Sequence, residues 1–349
     1  RIGTTLYHHL GLAEVCRSMP ITRRAALSAL AAASSIPAAV ATAQTRWQMA
    51  TPYPDGNFHT RNIRDFLAEV EQATSGKLAV QMHSNASLLP MAGIKRGVQQ
   101  GQVQMGEILL SAYANEDPMF DADSLPFLVA DLSEAKRLGD LQRPFIEARF
   151  QRQGLTLLYM VGWPAGGFYT QAPLTSLDQL RGSRFRTFNA MTTRFAGLVG
   201  ANPVQVQQAE VAQAFATGIA TAMVTSAQTG VDTSAWDYAK HFTPANFTMT
   251  KNAVFTSRRA LEGLPKDQAD ALRAAAAKAE ERGWRMAEEA TAAAEKRLAE
   301  RGLTIGTVPP ELAAAFRQIG NTMAEEWATR TGEDGRKLLD AVRSSGGAR

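Results

Sequence analysis

The sequence predicts an α/β protein with two sheet-containing lobes and a long helix near its carboxyl end. First, strand-like and helix-like hydrophobic patterns alternate over residues 47–109. Second, further strand patterns separated by glycine-rich turns follow over residues 157–188. Third, residues 266–301 are mainly alanine, glutamate, arginine and lysine, which is the composition of a strong helix former. A chain of 349 residues is long enough for two such lobes.

The first lobe is expected to contain three strands and two helices in alternation. The strands are predicted at residues 47–50, 77–83 and 103–109, and the helices around residues 63–70 and 93–100. In an α/β sheet of this kind, ligand-binding loops follow the carboxyl ends of the strands. We therefore expect ligand contacts directly after these three strands.

A second sheet is expected in the middle of the chain. Residues 157–161 predict a strand that leads into the segment GWPAGGFY at residues 162–169. Residues 185–188 predict a further strand, and residues 192–199 a helix.

The long helix has a stripe of apolar and small residues at a 4-3-4-3 spacing. Such a stripe fits either a coiled-coil seam or close packing along the body of the protein, and the small residues favour close packing. Gly302 ends the helix, and Pro309-Pro310 begins another over residues 311–327. The members of the stripe are Leu272, Ala276, Ala279, Gly283, Met286, Ala290 and Ala293.

Residues 19–43 resemble a secretory signal peptide. Met19 is followed by Arg23-Arg24, by an apolar run over residues 25–40 and by the small-x-small site Ala41-Thr42-Ala43. The arginine pair fits a twin-arginine signal or an ordinary secretory one, and a retained anchor is a weaker alternative. We expect export to the periplasm with cleavage near Ala43. Residues 1–18 fit neither a signal nor a folded element, and we treat them as an upstream extension outside the native protein.

The charge of the chain is concentrated in this amino-terminal segment. The full chain has a net charge of +4 and one cysteine, Cys16. Residues 1–43 contain Cys16 and four arginines against a single glutamate, so the exported protein is nearly neutral and free of cysteine. This argues against a nucleic acid partner, a disulfide scaffold and a cysteine-based zinc site.

Motifs for catalysis and cofactor binding are absent from the sequence. It contains no G-x-S-x-G elbow, no phosphate-binding G-x-x-x-x-G-K-[ST] loop and no G-x-G-x-x-G fingerprint. Of the histidines, His59, His83 and His241 lie in the exported part, and none is paired at metal-ligand spacing. We therefore predict a protein that is not an enzyme and has neither a cofactor nor a metal.

The segment LDQLRGSRFR at residues 177–186 is the most informative stretch for function. A tight turn leads into a strand in which Phe185 points to one side, while Arg184 and Arg186 point to the other. A guanidinium at the carboxyl end of a strand matches a carboxylate in a bidentate, permanently charged pair. From these residues alone, an exposed surface arginine is the favoured interpretation.

The exported chain resembles the solute receptors of tripartite ATP-independent periplasmic (TRAP) transporters. The matching stretches are WQMATPYPDG, FLAEVEQATSGKLAV, LPMAGIKRGVQQGQVQMGE, LDQLRGSRFRTFN and GANPVQVQQAEVAQAFATG. The resemblance implies a two-lobe periplasmic binding protein fold with exchanged strands and a long helix spanning both lobes. It also implies that Arg186 forms a salt bridge to the substrate carboxylate, and that a membrane permease is the partner.

The domain organisation follows from combining the patterns with the resemblance. We expect a monomer with a cleft between its two lobes. Lobe I is expected to comprise residues 44–163 and 251–290, and lobe II residues 164–250. The spanning helix is expected at residues 266–304, and carboxyl-terminal helices and a tail at residues 305–349.

Two departures from related receptors indicate the ligand. Residues 163–169 lack the second cleft arginine of sialic-acid receptors, and residues 221–226 replace the D-G-x-E-N or D-G-x-E-W stretch of many members. If Arg186 is the single cationic side chain of the cleft, the second carboxylate of a dicarboxylate would be poorly compensated when the cleft is closed. We therefore predict an organic monocarboxylate, such as a 2-oxo or 2-hydroxy acid with an apolar or aromatic substituent. An exported enzyme acting on small acids and a ligand-binding partner of a membrane sensor are the alternatives.

Eleven residues are candidates for ligand binding. Arg186 would fix the carboxylate, and Asn189, Thr225 and Ser226 would donate hydrogen bonds to its oxygens or to a hydroxyl. First-lobe loops would contribute Tyr53, Asn85 and Glu107. The aromatic candidates, for which core packing is equally open, are Trp163, Phe168, Tyr169 and Trp236.

Overall fold

The computed structural model describes residues 44–345. The predicted signal peptide at residues 19–43 and the upstream residues 1–18 lie outside the described residues. Between residues 44 and 345, no helix combines the length and the apolar character needed to cross a membrane.

The strands of residues 44–345 form two mixed sheets. The strands are β1 (Thr45–Ala50), β2 (Leu78–His83), β3 (Met105–Leu109), β4 (Leu155–Gly162), β5 (Gly166–Thr170), β6 (Arg184–Thr187), β7 (Asn202–Gln205), β8 (Ala222–Ser226), β9 (His241–Pro244), β10 (Lys251–Ser257) and β11 (Thr304–Ile305). The five-stranded sheet has the order β2-β1-β3-β10-β4, and the six-stranded sheet has the order β11-β9-β5-β8-β6-β7.

The chain passes between the two sheets at β4–β5 and again at β9–β10. Strand β5 follows β4 directly but pairs antiparallel with β8 and β9 of the second sheet. Strand β10 follows β9 and inserts antiparallel between β3 and β4, where Val254 lies opposite Glu107 and Tyr159. The two lobes therefore exchange strands, which confirms the fold expected from the resemblance.

Helices cover the sheets and match the predicted ones where a prediction was made. The helix predicted around residues 63–70 is longer, because Asn57 caps it by accepting a hydrogen bond from the His59 amide at 2.8 Å. The pattern did not predict the helix over residues 132–152, which contains Pro144, a residue that normally interrupts helices. The helices are α1 (Phe58–Ala73), α2 (Met91–Gln99), α3 (Leu132–Arg152), α4 (Ala190–Leu198), α5 (Val211–Ala216), α6 (Ala227–Asp232), α7 (Arg258–Glu262), α8 (Lys266–Glu300), α9 (Pro310–Thr331) and α10 (Glu333–Ser345).

Helix α8 packs against both parts of the molecule. It contacts α1 and β4 at the first sheet, and α6 and β11 at the second. At Gly283 a side-chain carbon would collide with Val161 and Asn62, so the close approach requires glycine. The stripe residues from Leu272 to Ala290 are buried as predicted, except for Met286, which is half-buried.

The final stripe residue, Ala293, was wrongly predicted to be buried. Ala293 is exposed, and Ala294 and Leu298 are buried in its place. A straight α-helix has 3.6 residues per turn, so its buried face drifts away from a strict 4-3-4-3 repeat. The drift shows that α8 packs as an ordinary straight helix on the body of the protein.

Candidate functional site

A cavity of about 180 Å³ lies where residues from both sheets meet. This volume is small beside the roughly 300–1,000 Å³ of typical drug-sized ligand pockets. A compact ligand therefore suits it. The first-sheet side contributes Pro52, Tyr53, Ala86, Met91, Leu109 and Trp163, and the second-sheet side contributes Arg186, Phe188, Gln207, Gln208, Val224, Thr225, Ser226 and Thr229.

The topology explains why these residues meet. Strands β2 and β3 run parallel to β1, and strands β7 and β8 run parallel to β6. Parallel strands place their carboxyl ends at one edge of a sheet, and the loops that follow them form a common surface. Tyr53, Ala86 and Leu109 occupy this position in the first sheet. Phe188 and Gln207 do so in the second.

Arg186 is held within the second sheet by its neighbours. It lies on β6 opposite Val204 of β7 and Met223 of β8, and its side chain is 2% exposed. Its Nε donates a hydrogen bond to the Val206 carbonyl at 2.8 Å, and its Cζ lies 5.2 Å from the centre of the Phe188 ring. These contacts fix the plane of the guanidinium while it lines the cavity.

In the described part of the chain, no carboxylate pairs with the charge of Arg186. Its Nη1 is buried without a hydrogen-bond partner among residues 44–345. Burial lowers the pKa of Arg186 to about 10, so the group remains protonated at neutral pH. Of the described residues that line the cavity, Arg186 is the one basic side chain and the exposed Glu210 is the one acidic side chain. Since a buried, unpaired cation is costly, the site suits an anionic group.

The remaining wall of the cavity combines aromatic surface with hydroxyl groups. The rings of Tyr53 and Trp163 meet edge to face, with centroids 5.0 Å apart. The Ser226 hydroxyl already caps α6 by accepting a hydrogen bond from the Thr229 amide at 3.1 Å. Thr225 is buried beside it at the end of β8 and lines the cavity. This wall can hold apolar ring atoms on one side and polar ligand atoms on the other.

A hydrogen-bonded cluster lies behind the aromatic wall. Asn252 Oδ1 accepts from Tyr53 Oη at 3.2 Å and from Trp163 Nε1 at 2.8 Å. Asn252 Nδ2 donates to Glu107 Oε1 at 2.8 Å, and Thr51 Oγ1 donates to Glu107 Oε2 at 2.5 Å. Burial raises the pKa of Glu107 to about 7.

Five of the eleven candidate residues line this cavity. They come from loops after first-sheet strands and from β6 and β8 of the second sheet. These five are Tyr53, Trp163, Arg186, Thr225 and Ser226.

Three polar candidates lie outside the cavity lining. Asn189 caps α4 by accepting from the Thr192 amide at 2.8 Å, and its Nδ2 donates to Ser111 Oγ at 2.9 Å. Asn85 is exposed with a φ of 55°, and its backbone amide donates to the Tyr53 carbonyl at 2.7 Å. Glu107 belongs to the cluster behind Tyr53. Neighbouring groups thus use the side-chain polar atoms of Asn189 and Glu107, whereas Asn85 is an exposed turn residue.

Three aromatic candidates pack elsewhere. Phe168 stacks on Phe316 with ring centroids 5.0 Å apart, inside the apolar core. Tyr169 donates through its hydroxyl to the Ser226 carbonyl at 3.1 Å, on the side of β5 away from Phe168. Trp236 lies beside Arg301, whose Cζ is 5.1 Å from its ring centre.

Sequence reasoning missed the second-sheet residues Phe188, Gln207 and Gln208. The two glutamines follow β7, a short strand of largely exposed residues. The alternation of Val204 and Val206 with glutamines is the feature that could have identified this strand.

Comparison with known proteins agrees with this architecture. Residues 49–330 match the family described as bacterial extracellular solute-binding protein, family 7 (DctP). The crystal structure of DctP7 from Bordetella pertussis, an extracytoplasmic solute receptor binding pyroglutamic acid, is 44% identical, with a TM-score of 0.84 over 86% of this chain and 99% of that one.

Two further solved receptors are similar over the same span. DctP6 from Bordetella pertussis, which also binds pyroglutamic acid, is 38% identical, with a TM-score of 0.85 over 86% of this chain and 100% of that one. A TRAP solute-binding protein from a marine metagenome, specific for pyroglutamate, is 32% identical, with a TM-score of 0.84 over 86% of this chain and 99% of that one. The chain therefore belongs to bacterial extracellular solute-binding protein family 7, the DctP-like solute receptors of TRAP transporters.

Proposed function

We propose that this TRAP receptor captures a small organic monocarboxylate in the periplasm, with pyroglutamate as the first candidate, and delivers it to a membrane permease. Its family and its structural relatives are solute receptors rather than enzymes. The observation that supports the ligand class is the buried Arg186 guanidinium, which lines the cavity with Nη1 unpaired. A ligand carboxylate would supply the missing partner in a charge-assisted pair.

The balance of charge favours one carboxylate over two. Arg186 is the single basic side chain in the described lining, and Glu210 at the exposed edge would repel a second anion. A dicarboxylate would therefore bury one charge without a partner, which is costly in a closed site. Ligands with one carboxylate and a compact, partly apolar body suit the cavity better.

Pyroglutamate combines the features that the cavity can recognise. It has one carboxylate, a five-membered ring with apolar methylenes, and a lactam with one donor and one acceptor. The methylenes could lie against Tyr53 and Trp163, and the lactam could bond to Thr225 or Gln207, which line the same cavity. The three similar receptors named above bind pyroglutamate or pyroglutamic acid. Small 2-oxo and 2-hydroxy acids remain the next candidates.

Isothermal calorimetry on purified protein with a matched pair of ligands tests this proposal. Pyroglutamate and 2-pyrrolidinone share the lactam ring and differ in the carboxylate. Wild-type protein should bind pyroglutamate much more tightly, and Arg186→Ala should weaken that binding by about 100-fold or more, because the ligand carboxylate would be buried without its partner. The same variant should leave weak 2-pyrrolidinone binding nearly unchanged.

Arg184→Ala is the matched control, because Arg184 lies on the same strand but is exposed. It should bind pyroglutamate as the wild type does. Equal affinity of wild type and Arg186→Ala would refute the role of Arg186. Tight binding of succinate, with none of pyroglutamate, lactate or pyruvate, would refute the monocarboxylate class.

A further inference from the structure

One buried asparagine side chain connects both aromatic residues of the cavity wall. Asn252 is 1% exposed and lies on β10, between β3 and β4. Its single Oδ1 accepts hydrogen bonds from both Tyr53 and Trp163. Asn252 itself is absent from the cavity lining, so it can reach a ligand only through these two rings.

We propose that Asn252 is a positioning residue that fixes the ligand-facing orientation of Tyr53 and Trp163, and that Glu107 sets the orientation of the Asn252 amide. This inference rests on the proposed ligand cavity. It gives Glu107 an indirect role, through Asn252, without contact to the ligand.

The donor and acceptor chemistry supports a single arrangement of this cluster. The indole Nε1 of Trp163 can only donate, so it requires the oxygen of the Asn252 amide. The amide nitrogen must then face the opposite way, towards an acceptor. Glu107 Oε1 is that acceptor at 2.8 Å, while Thr51 donates to the other oxygen, Oε2.

The hydrogen bonds to Asn252 fix how the rings of Tyr53 and Trp163 are rotated. Trp163 is surrounded by rings at centroid distances of 5.0 Å to Tyr53, 5.6 Å to Phe58 and 4.5 Å to His59. Such contacts are non-directional compared with a hydrogen bond and permit small rotations of the indole. The bonds to Asn252 Oδ1 remove that freedom, because two donors from different loops must converge on one atom.

The first experiment replaces Asn252 by the similarly sized Leu, which can accept no hydrogen bond. In ligand-free protein, the ¹⁵N–¹H indole resonance of Trp163, assigned with Trp163→Phe, should move to the position of an unbonded indole. In calorimetry, pyroglutamate affinity should fall by about tenfold, since the loss of one or two buried hydrogen bonds is of that order. An unmoved resonance, or an unchanged affinity, would overturn the proposal.

A second variant relocates the charge while keeping the bonds. In Asn252→Asp/Glu107→Gln, the aspartate oxygens accept from Tyr53 and Trp163, and the glutamine amide donates to the aspartate. The indole resonance should stay near its wild-type position and the affinity within about threefold of it. Affinity as poor as that of Asn252→Leu would contradict an anchoring role.

Asn62→Leu is the matched control for buried asparagine loss. Asn62 is also 1% exposed, but its Nδ2 donates to the Ala279 carbonyl at 2.9 Å, beneath α8. This variant should lose stability while keeping the Trp163 resonance and the ligand affinity. If it reduces affinity as much as Asn252→Leu does, the effect is general destabilisation and the proposal fails.

Tyr53→Phe provides a test that does not depend on how Asn252→Leu folds. It removes one hydrogen-bond donor to Asn252 and keeps the ring. The affinity for pyroglutamate should therefore fall by about threefold to tenfold. An affinity equal to that of the wild type would count against the proposal. The indole readout needs no ligand. If pyroglutamate does not bind wild-type protein, the proposed ligand is refuted, while the resonance still decides whether Asn252 anchors Trp163.

Discussion

Asn57 Nδ2 donates a 2.6 Å hydrogen bond to Asp232 Oδ2, and this bond joins an element of the first sheet to one of the second. Asn57 precedes α1, which packs beside β2, and Asp232 ends α6, which follows β8. Gln208, a residue of the cavity lining, donates to the same carboxylate oxygen at 2.9 Å. The bond therefore links the two sides of the cavity at a point that a lining residue also touches.

Asn57→Asp should accelerate ligand release by about tenfold. Aspartate is as good a helix cap as asparagine, so α1 keeps its amino-terminal hydrogen bond. The new carboxylate would face Asp232, however, and the hydrogen bond that joins the two sides of the cavity would become a repulsion. Stopped-flow displacement of bound pyroglutamate measures this rate. Asn57→Ser, which keeps a cap and adds no charge, should show a smaller acceleration, and equal rates for both variants would contradict the argument.

Glu107 should lower the folding stability as the pH rises from about 4.5 to about 7, whereas the buried His59, whose pKa is lowered by burial, contributes in the opposite direction. Burial raises the pKa of Glu107 from 4.5 to about 7, so in this window the folded protein holds a proton that the unfolded chain has released. An excess of bound protons in the folded state makes the free energy of unfolding decrease with pH, by up to a few kcal/mol for a shift of this size. Urea unfolding at pH 5 and pH 8 measures the decrease.

Glu107→Gln should flatten that pH dependence without abolishing it. Asp121, whose pKa burial also raises to about 7, continues to contribute in the same direction. At pH 8 the variant should be at least as stable as the wild type, because position 107 no longer holds a buried carboxylate that has to ionise. Identical pH profiles for the two proteins would show that Glu107 does not titrate in this range.

Gly283→Ala should destabilise the protein by about 1–3 kcal/mol. The added methyl group would collide with Val161 of β4 and Asn62 of α1, so α8 would have to move outwards. Thermal unfolding followed by circular dichroism measures the loss. Gly197→Ala in α4 is the control, since nothing lies within 4 Å of its added carbon, and it should be neutral or stabilising by up to about 1 kcal/mol. A smaller loss at Gly283 than at Gly197 would contradict the packing argument.

Hydrophobic periodicity was sufficient for the elements that have one buried face. Strand β2 and helices α1, α2 and α8 follow from it, because their core positions alternate with polar ones, whereas β3 is buried at all five positions. It failed for β7, where exposed residues dominate, and for α3, where Pro144 and many charged residues conceal the helix.

The site was predictable only in part, because its residues depend on contacts between distant segments. The chemistry of Arg186 could be stated from the sequence, but its burial requires β7 and β8 on either side of β6. Glu107 was expected in a loop, yet it lies within β3, and Asn252 pairs with it from 145 residues away. Neither local spacing nor propensity contains that information.

The insertion of β10 between β3 and β4 imposes an order on how this protein can be assembled during synthesis. Within residues 44–345, strands β3 and β4 each pair with β10 and not with each other, so the first sheet stays divided until the ribosome has made the segment after residue 250. The amino-terminal sheet is then completed only after β5 to β9 of the second sheet have been synthesised, although its own first strands are made early. Because the same strand supplies Asn252, the aromatic wall of the binding cavity acquires its anchor in the step that closes the sheet.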